Sequence, residues 1–516
     1  MCEPVKGHQF KYRLPQYAAV LCALILHVCL PLVFRNALFD INRVKVDLVI
    51  VTMPACAAVC ALGFFLCRSL PRFGCEVKRL CLPLFVFGAA AVISSCRCGF
   101  DSAVLLGTEG RQCGLFFLLA CMLGFMVVVS GGMKGDKIRA LGSLAAAAVA
   151  VLGMLNAVGT DPLGFYTRMQ KGQEHLFLST IGNIDFFGCY LALMLPVAAS
   201  GWIDGKDRRV CCFYLLVSLC IAGGIAASRS DTALLAVQAG MLALLVFSGG
   251  SYFSMTKTLI LWSASFAAYP AMYPLLLNAD FFVPLSGVFL AICETGAAWM
   301  LSGVFAALAA CCLYAHKAQM KAIGRRRLML AACLLLTLAF ALMFASSVYY
   351  TVYAPEAELG GATSLLRFDD HWGTRRGFVY RRSLRAFADY SLLDRLFGKG
   401  VDCTRRILEP YFDDPVMLAH GIFNDAHCQP LQYLLTTGLL GGGALMVFHV
   451  LLVFVLFRLS KHDRVLCAYG AALCAYIPIA LLSVSQPILI ASYFAVSASA
   501  VSRIQYLTQG RDVREP

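Results

Sequence analysis

Charge is scarce in this chain. Of its 516 residues only 14% are Asp, Glu, Lys or Arg, against 60% hydrophobic, and the mean hydropathy is +0.75. Soluble globular domains carry about a quarter of their residues charged, so this composition excludes them and directs attention to a polytopic membrane protein. Several catalytic signatures are also missing: there is no HExxH, no CxxC pair, no Walker loop and no GxGxxG opening a helix. Nothing in the sequence therefore points to a zinc peptidase, a P-loop nucleotidase or a dinucleotide enzyme. No cleavable signal peptide is expected, because the first apolar run lacks a small-residue cleavage site and further spans follow it. Cysteine is plentiful, at 24, but most lie inside apolar runs as small hydrophobic side chains. Cys98, Cys403 and Cys428 are the few expected on an outer side, which does not make a disulfide framework.

Long apolar runs are what the chain has in abundance. A hydrocarbon core about 30 Å thick needs roughly 20 apolar residues per helix, and about fourteen runs meet or approach that length. They begin at 17–34 and end at 487–505, and the run least like a single span is 288–314, which contains Glu294 and reads as one tilted helix or as a helix with a re-entrant piece. The expected fold is thus an all-α polytopic membrane protein, residues 1–516 forming one integral membrane domain. Lys and Arg fall on alternate loops: Lys6, Lys11 and Arg13, then Arg68 to Arg79, Lys134 to Arg139, Lys206 to Arg209, Lys317 to Arg327, and Arg458 to Arg464. By the positive-inside bias both termini are expected on the cytoplasmic side of the cell membrane. The net charge of +14 is then a topology signal, with no call for a nucleic-acid partner.

One connection is unlike the rest. Residues 350–429 form a stretch of about 80 residues between spans, expected outside the cytoplasm and containing short helices, and loops of that length are functional or disordered. Within it, RRGFVYRRSLRAFADYSLLDRLFG (375–398) places Phe378, Leu384, Phe387 and Leu392 at near-helical spacing, with Arg381, Arg382 and Arg385 on another face. Such a helix suits a membrane surface or the cap of a bundle.

The same outer side holds further polar residues against the orientation bias. Arg111 stands in GTEGRQCGL just before a span, Arg229 in the short turn ASRSD, and Gly182, Asn183 and Asp185 open an apolar helix. An arginine at a helix end either snorkels to headgroups and pairs locally, as Arg229 with Asp231, or holds an anion, since guanidinium grips phosphate oxygens with two parallel hydrogen bonds. His427, in FNDAHCQPLQYLLTTGLLGGG (423–443), precedes an apolar run. Its imidazole either bonds Asp425 or a headgroup, or accepts a proton from an attacking hydroxyl. A thiol nucleophile at Cys428 has no support elsewhere in the chain. Asp369 and Asp370 with His371, or Asp413 with Asp414, have the residue types for Mg²⁺, but such pairs in polar loops also serve as plain solvated turns.

Taken in order, GTEGRQCGL, IGNIDFFGCYLALMLP, ASRSDTALLAV, TRRGFVYRRSLRAFADYSLLDRLFGKGVD and AHCQPLQYLLTTGLLGG give the chain a resemblance to the O-antigen ligase-related superfamily over roughly residues 90–457. The resemblance implies a metal-independent glycosyltransferase with no cofactor. It would take a glycan from undecaprenyl diphosphate on the outer leaflet and pass it to an acceptor hydroxyl on a glycan or glycolipid. It further implies that Arg229, after a small-Ser pair, and Arg376, before Gly377, bind the diphosphate, and that His427 accepts the proton or orients the acceptor. Arg111, Arg382 and Asn183 are the accompanying candidates for substrate binding. The sequence departs from the family where Cys428, Gln429, Pro430 and Leu431 replace the usual Asn and Tyr-Leu pair, and where Tyr380 stands for a common Trp. Two alternatives stay open: a glycolipid transporter or flippase, and a cell-wall glycan polymerase of the shape, elongation, division and sporulation family, in which an acid such as Asp402, Asp413 or Asp414 would be essential.

Overall fold

The computed structural model describes residues 6–68, 70–169, 173–278, 287–359, 363–412 and 423–512. Helices make up most of it, and the strands among the described residues are a two-residue antiparallel pair, Phe177–Leu178 with Gly182–Asn183, in register Phe177 opposite Asn183. Among the described residues, twelve helices are long and apolar enough to cross a membrane, from Arg13–Leu32 to Pro487–Gln509, and two shorter apolar helices, Leu115–Ser130 and Asp231–Phe247, stand beside them. The chain is a multi-pass, all-α membrane protein. The ambiguous run at 288–314 resolves into two pieces, Gly287–Glu294 and Ala297–Lys317, divided at Gly296 with φ 72°. Glu294 ends the first piece and accepts a hydrogen bond from the Tyr273 hydroxyl at 3.3 Å, so its carboxylate lies at a helix end and not inside a continuous span.

The helices differ sharply in how much they bury. Ile184–Asp204 and Pro487–Gln509 bury 89% and 100% of their most apolar stretch, whereas Arg325–Tyr353 buries none. A helix that is apolar all round and touches protein on one side only satisfies its remaining surface in lipid. Arg325–Val348 is held at its start, where the Arg325 guanidinium donates to Ser460 Oγ at 3.0 Å and Gly250 N donates to Ile323 O at 2.8 Å.

The long Gln429–Leu459 helix is broken at Gly438, whose φ of 69° and ψ of −172° lie in a region open essentially to glycine alone. A break frees backbone carbonyls, which in hydrocarbon cost several kcal/mol each if left bare. Here they are answered. Leu435 O accepts from Lys399 N at 3.1 Å and from the Tyr390 hydroxyl at 3.0 Å, and Thr436 O accepts from Ser94 Oγ at 2.5 Å, which itself accepts from Gly400 N at 2.8 Å. The donors come from the 350–429 connection and from the Cys75–Arg97 helix. Approach is so close that a Cβ on Gly438 would lie 2.3 Å from Leu396 O.

That connection packs a second core together with Val104 and Leu435 of neighbouring elements, contributing Phe378, Val379, Ala386, Cys403, Leu408 and Ala426 among others. Trp372–Ala388 is the amphipathic helix expected there, but its inward face differs from the one read from spacing. Phe378, Val379, Ser383 and Ala386 are fully buried, whereas Leu384 and Leu392 are 56% and 74% exposed. The helix ends at Ala388 and a separate one starts at Leu392, so a single helical period does not run through both.

Candidate functional site

The cluster is organised by Arg111. Its side chain is 2% exposed and lies between two carboxylates that are more deeply buried still, Asp425 Oδ2 at 2.6 Å from Nη1 and Asp402 Oδ1 at 3.3 Å from Nη2. Nη1 also donates to Asn424 O at 2.6 Å. Neither pair has hydrogen-bond geometry: both are ionic contacts, close at Asp425 and looser at Asp402, and Asp402 spends its other oxygen on Thr108 N at 2.7 Å. Burial pushes the Arg111 pKa down, but Asp425 and then Asp402 outweigh it and hold the guanidinium firmly charged. Burial likewise raises the Asp402 carboxyl against the opposing pull of Arg111. The charge of Arg111 is thus met inside the protein by two carboxylates, although its buried Nε has no hydrogen-bond partner among the described residues.

What Arg111 holds is the approach to His427. Asp425 Oδ1 accepts from His427 N at 2.6 Å, its Oδ2 accepts from Ser485 N at 3.3 Å, and Gln432 Oε1, one turn into the following helix, accepts from Ala426 N at 3.0 Å. These bonds fix His427 in the left-handed region, φ 52°, where a non-glycine residue persists only if its surroundings over-determine it. The contact to Asp425 uses the backbone N–H and not the ring. The imidazole lies edge-on to Phe423, 6.3 Å between centroids. Burial lowers its pKa below the ordinary 6.5; Asp425 pulls it up, and Arg376 and Arg111 push it down. The ring is therefore neutral at neutral pH and able to take a proton.

The residues that depart from the family pattern have local structural reasons. Cys428 occupies the cap position of the Gln429–Leu459 helix and Pro430 lies within its first turn, where proline loses no hydrogen bond. Burial raises the Cys428 thiol pKa, keeping it protonated and a poor nucleophile. Tyr380 places its hydroxyl 3.0 Å from His427 O and 2.8 Å from Leu481 O, one proton serving both. It ties the Trp372–Ala388 helix to the His427 backbone.

The other candidates divide into two groups. Arg376 is close enough for its charge to act on His427 and on Asp231. Its Nη1 donates to Gly373 O at 2.9 Å, and its buried Nε has no hydrogen-bond partner among the described residues. Arg229 caps the Arg208–Ser228 helix at φ 57°, and burial lowers its pKa against the pull of Tyr166. The turn before it packs on the start of the Ile184–Asp204 helix, where a Cβ on Gly188 would lie 2.4 Å from Ser228 Oγ. Asp231 accepts from Val288 N and Phe289 N at 3.1 and 3.2 Å, holding the start of the Gly287–Glu294 helix. Asn183 accepts from Asp185 N at 2.9 Å as a helix cap, so its side-chain oxygen is engaged in structure, while Asp185 bears electrostatically on His427. Arg382 lies aside: Nη1 meets both oxygens of Asp370 at 2.7 Å and the guanidinium stacks 4.0 Å over Phe378.

The acidic stretch weighed for Mg²⁺ is spent on the protein. Asp369 Oδ1 accepts from His371 N at 2.8 Å, and Asp370 takes Arg381 as well as Arg382. Asp413 and Asp414 lie outside the described residues. Sequence reading missed Asp402 and Asp425 as partners of Arg111; the one local signal was the spacing Asp425, His427, which places a carboxylate two residues before the histidine it anchors.

These features define a multi-pass helical membrane protein with a preorganised histidine and arginine cluster at one end of its bundle. Residues 281–446, about a third of the chain, match the family model for O-antigen ligase. Arg376, Arg382 and His427 lie inside that segment; Arg111, Asn183 and Arg229 precede it. No curated protein and no solved structure matches the chain. The family points to a glycosyl-transfer role at a membrane in polysaccharide biosynthesis, with a lipid-linked glycan as the kind of partner it takes.

Proposed function

We propose that the protein transfers or polymerises a glycan from undecaprenyl diphosphate onto an acceptor hydroxyl at the outer face of the cytoplasmic membrane, with both termini cytoplasmic and the 350–429 connection outside. The acceptor oxygen attacks the anomeric carbon, the bond from that carbon to the diphosphate oxygen breaks, and the diphosphate leaves with the electron pair. The hydroxyl proton passes to the neutral ring of His427. Arg376 and Arg229 stabilise the charge growing on the diphosphate, the part of such a reaction that preorganised cations serve best, so no metal is required. What supports this reading is a partly buried His427 held through its backbone by Asp425 and Tyr380, in a left-handed conformation, with the Arg376 charge acting on its ring. Arg111 is a positioning residue, acting through Asp425.

Removing a general base costs about 10²- to 10⁴-fold. Purified protein given a lipid-linked glycan and an acceptor in the presence of a chelator should form product, and His427→Ala should lose activity on that scale. Full activity in the variant sinks the role assigned to His427, and a requirement for added metal sinks the metal-free step.

The helix broken at Gly438 is a feature that would favour a transporter, since such breaks expose backbone carbonyls to ions or substrate. Its carbonyls at Leu435 and Thr436 are already taken by Lys399, Tyr390 and Ser94, which favours the enzyme. Movement of a labelled lipid-linked sugar across vesicles without product would reverse that preference. Asp402, 3% exposed and facing Arg111, is poorly suited to the essential acid of a cell-wall polymerase.

A further inference from the structure

At the end of the bundle opposite His427 lies a cavity of about 710 Å³, walled by the beginnings of the Asp136–Ala157, Arg208–Ser228 and Val465–Leu482 helices and the ends of Ile184–Asp204 and Pro487–Asp512. The proposed transfer reaction makes no use of it. Five cations face three carboxylates around its wall. Most are matched: Arg503 meets Asp463 at 2.7 Å and Asp136 at 3.5 Å, Arg464 meets Asp204 at 3.2 Å, and Lys134 meets Asp136 at 3.6 Å.

Arg139 and Lys206 are the two wall cations with no carboxylate within ion-pair distance among the described residues. They differ in readiness. Lys206 is exposed. Arg139 is pinned: Nη1 donates to Ser200 Oγ at 2.6 Å, the guanidinium lies 5.1 Å from the centre of the Tyr214 ring, and its buried Nε has no hydrogen-bond partner among the described residues. A buried donor is costly to leave unmade, and a guanidinium already fixed in place gives up little further freedom on binding. The fork matches an oxyanion that can take two parallel hydrogen bonds.

We infer that this cavity is a binding site for a phosphate-bearing anion, with Arg139 as its anchor and Lys206 as a second, mobile cation at its rim. The shared chemistry is a phosphate group, carried by a phospholipid headgroup of the adjacent leaflet or by a soluble diphosphate. The site is independent of the transfer reaction at the other end.

The full-length protein in nanodiscs of phosphatidylcholine separates these sources. Thermal unfolding is followed against sodium pyrophosphate, with sodium chloride at matched ionic strength as control, and in parallel nanodiscs containing phosphatidylglycerol. A rise in melting temperature with pyrophosphate alone identifies a soluble ligand, a rise with phosphatidylglycerol alone a headgroup, and a rise with both the shared site. In each case Arg139→Gln should raise the half-saturating concentration about tenfold or more, as loss of a charge-assisted hydrogen bond does, and Lys206→Gln by a smaller factor. No response in the native protein, or an unchanged response in both variants, overturns the inference. If Arg139→Gln does not fold, exposed Lys206→Gln decides the matter alone.

Discussion

The sealed triad beside His427 and two exposed ion pairs at the far end of the bundle treat charge in opposite ways. Beside His427, Arg111 and its two carboxylates are sealed from solvent at 2%, 1% and 0% side-chain exposure. At the far end, the pair of Arg458 with Glu76 and that of Arg464 with Asp204 leave about half of each arginine exposed. The same residue types therefore carry different energies. Exposed pairs are screened and mark topology, as the alternation of basic loops does; the sealed triad sets the backbone on which the candidate site is built.

The sharpest way to test that contrast is to remove the buried cation. Arg111→Ala leaves Asp402 and Asp425 facing each other without their shared partner, and breaking a buried ion pair in this way costs about 3 to 5 kcal/mol. Thermal or denaturant unfolding in detergent micelles should report a loss of that size. In the folded fraction transfer should also fall, because Asp425, which holds His427 N, then loses its cation. A loss below about 1 kcal/mol would put the triad in the same class as the exposed pairs.

Next in size is the helix break. Gly438→Ala forces a Cβ into a conformation that costs about 1 to 3 kcal/mol for other residues, and sets it against the backbone of Leu396. The expected result is lower stability, with proteolysis between residues 350 and 429 increasing first, since the loop's contacts with Leu435 and Thr436 are what the substitution disturbs. Unchanged proteolysis would mean that the connection is held by the second core alone.

How much of this could be read along the chain depends on the distance between partners. Each long apolar run became a helix because bilayer thickness acts on consecutive residues. The flagged run at 288–314 broke close to Glu294 for the same local reason. Gly438 was invisible, since TTGLLGGG within an apolar run reads as uninterrupted helix, and the donors that permit the break come from Tyr390, Lys399 and Ser94, far away in sequence. Arg111 was legible as an arginine out of place but not as a positioning residue, because Asp402 and Asp425 lie on the other side of most of the bundle's helices in chain order. Leu384 and Leu392 misled because apolar spacing alone does not reveal that one helix stops at Ala388 and another begins.

A smaller effect probes the electrostatics at the His427 end. Its pKa lies below 6.5, with burial as the main cause and Arg376 as a contributor. The ring is in its base form above that pKa, so kcat/KM should fall as pH drops through it. Arg376→Gln removes a positive neighbour, so the acid limb of whatever activity remains should move up towards 6.5. Asp425→Asn removes the charge that pulls the pKa up and should move the limb down. Limbs that stay in place in both variants would detach His427 from the proton transfer.

The smallest expected effect completes the comparison. Arg458 joins the end of the Gln429–Leu459 helix to Glu76 at the start of the Cys75–Arg97 helix, at 2.5 Å, with the two side chains 51% and 29% exposed. An exposed pair gains little, because water screens both charges and ordering two long side chains costs entropy; measured values run from about 0 to 1 kcal/mol. Arg458→Gln should therefore shift unfolding by no more than that, and the shift should shrink in high salt. The loss from Arg111→Ala should be largely insensitive to salt, since ions do not reach a sealed triad. Equal salt dependence of the two variants would show that the triad and the exposed pair do not differ in the way their burial implies.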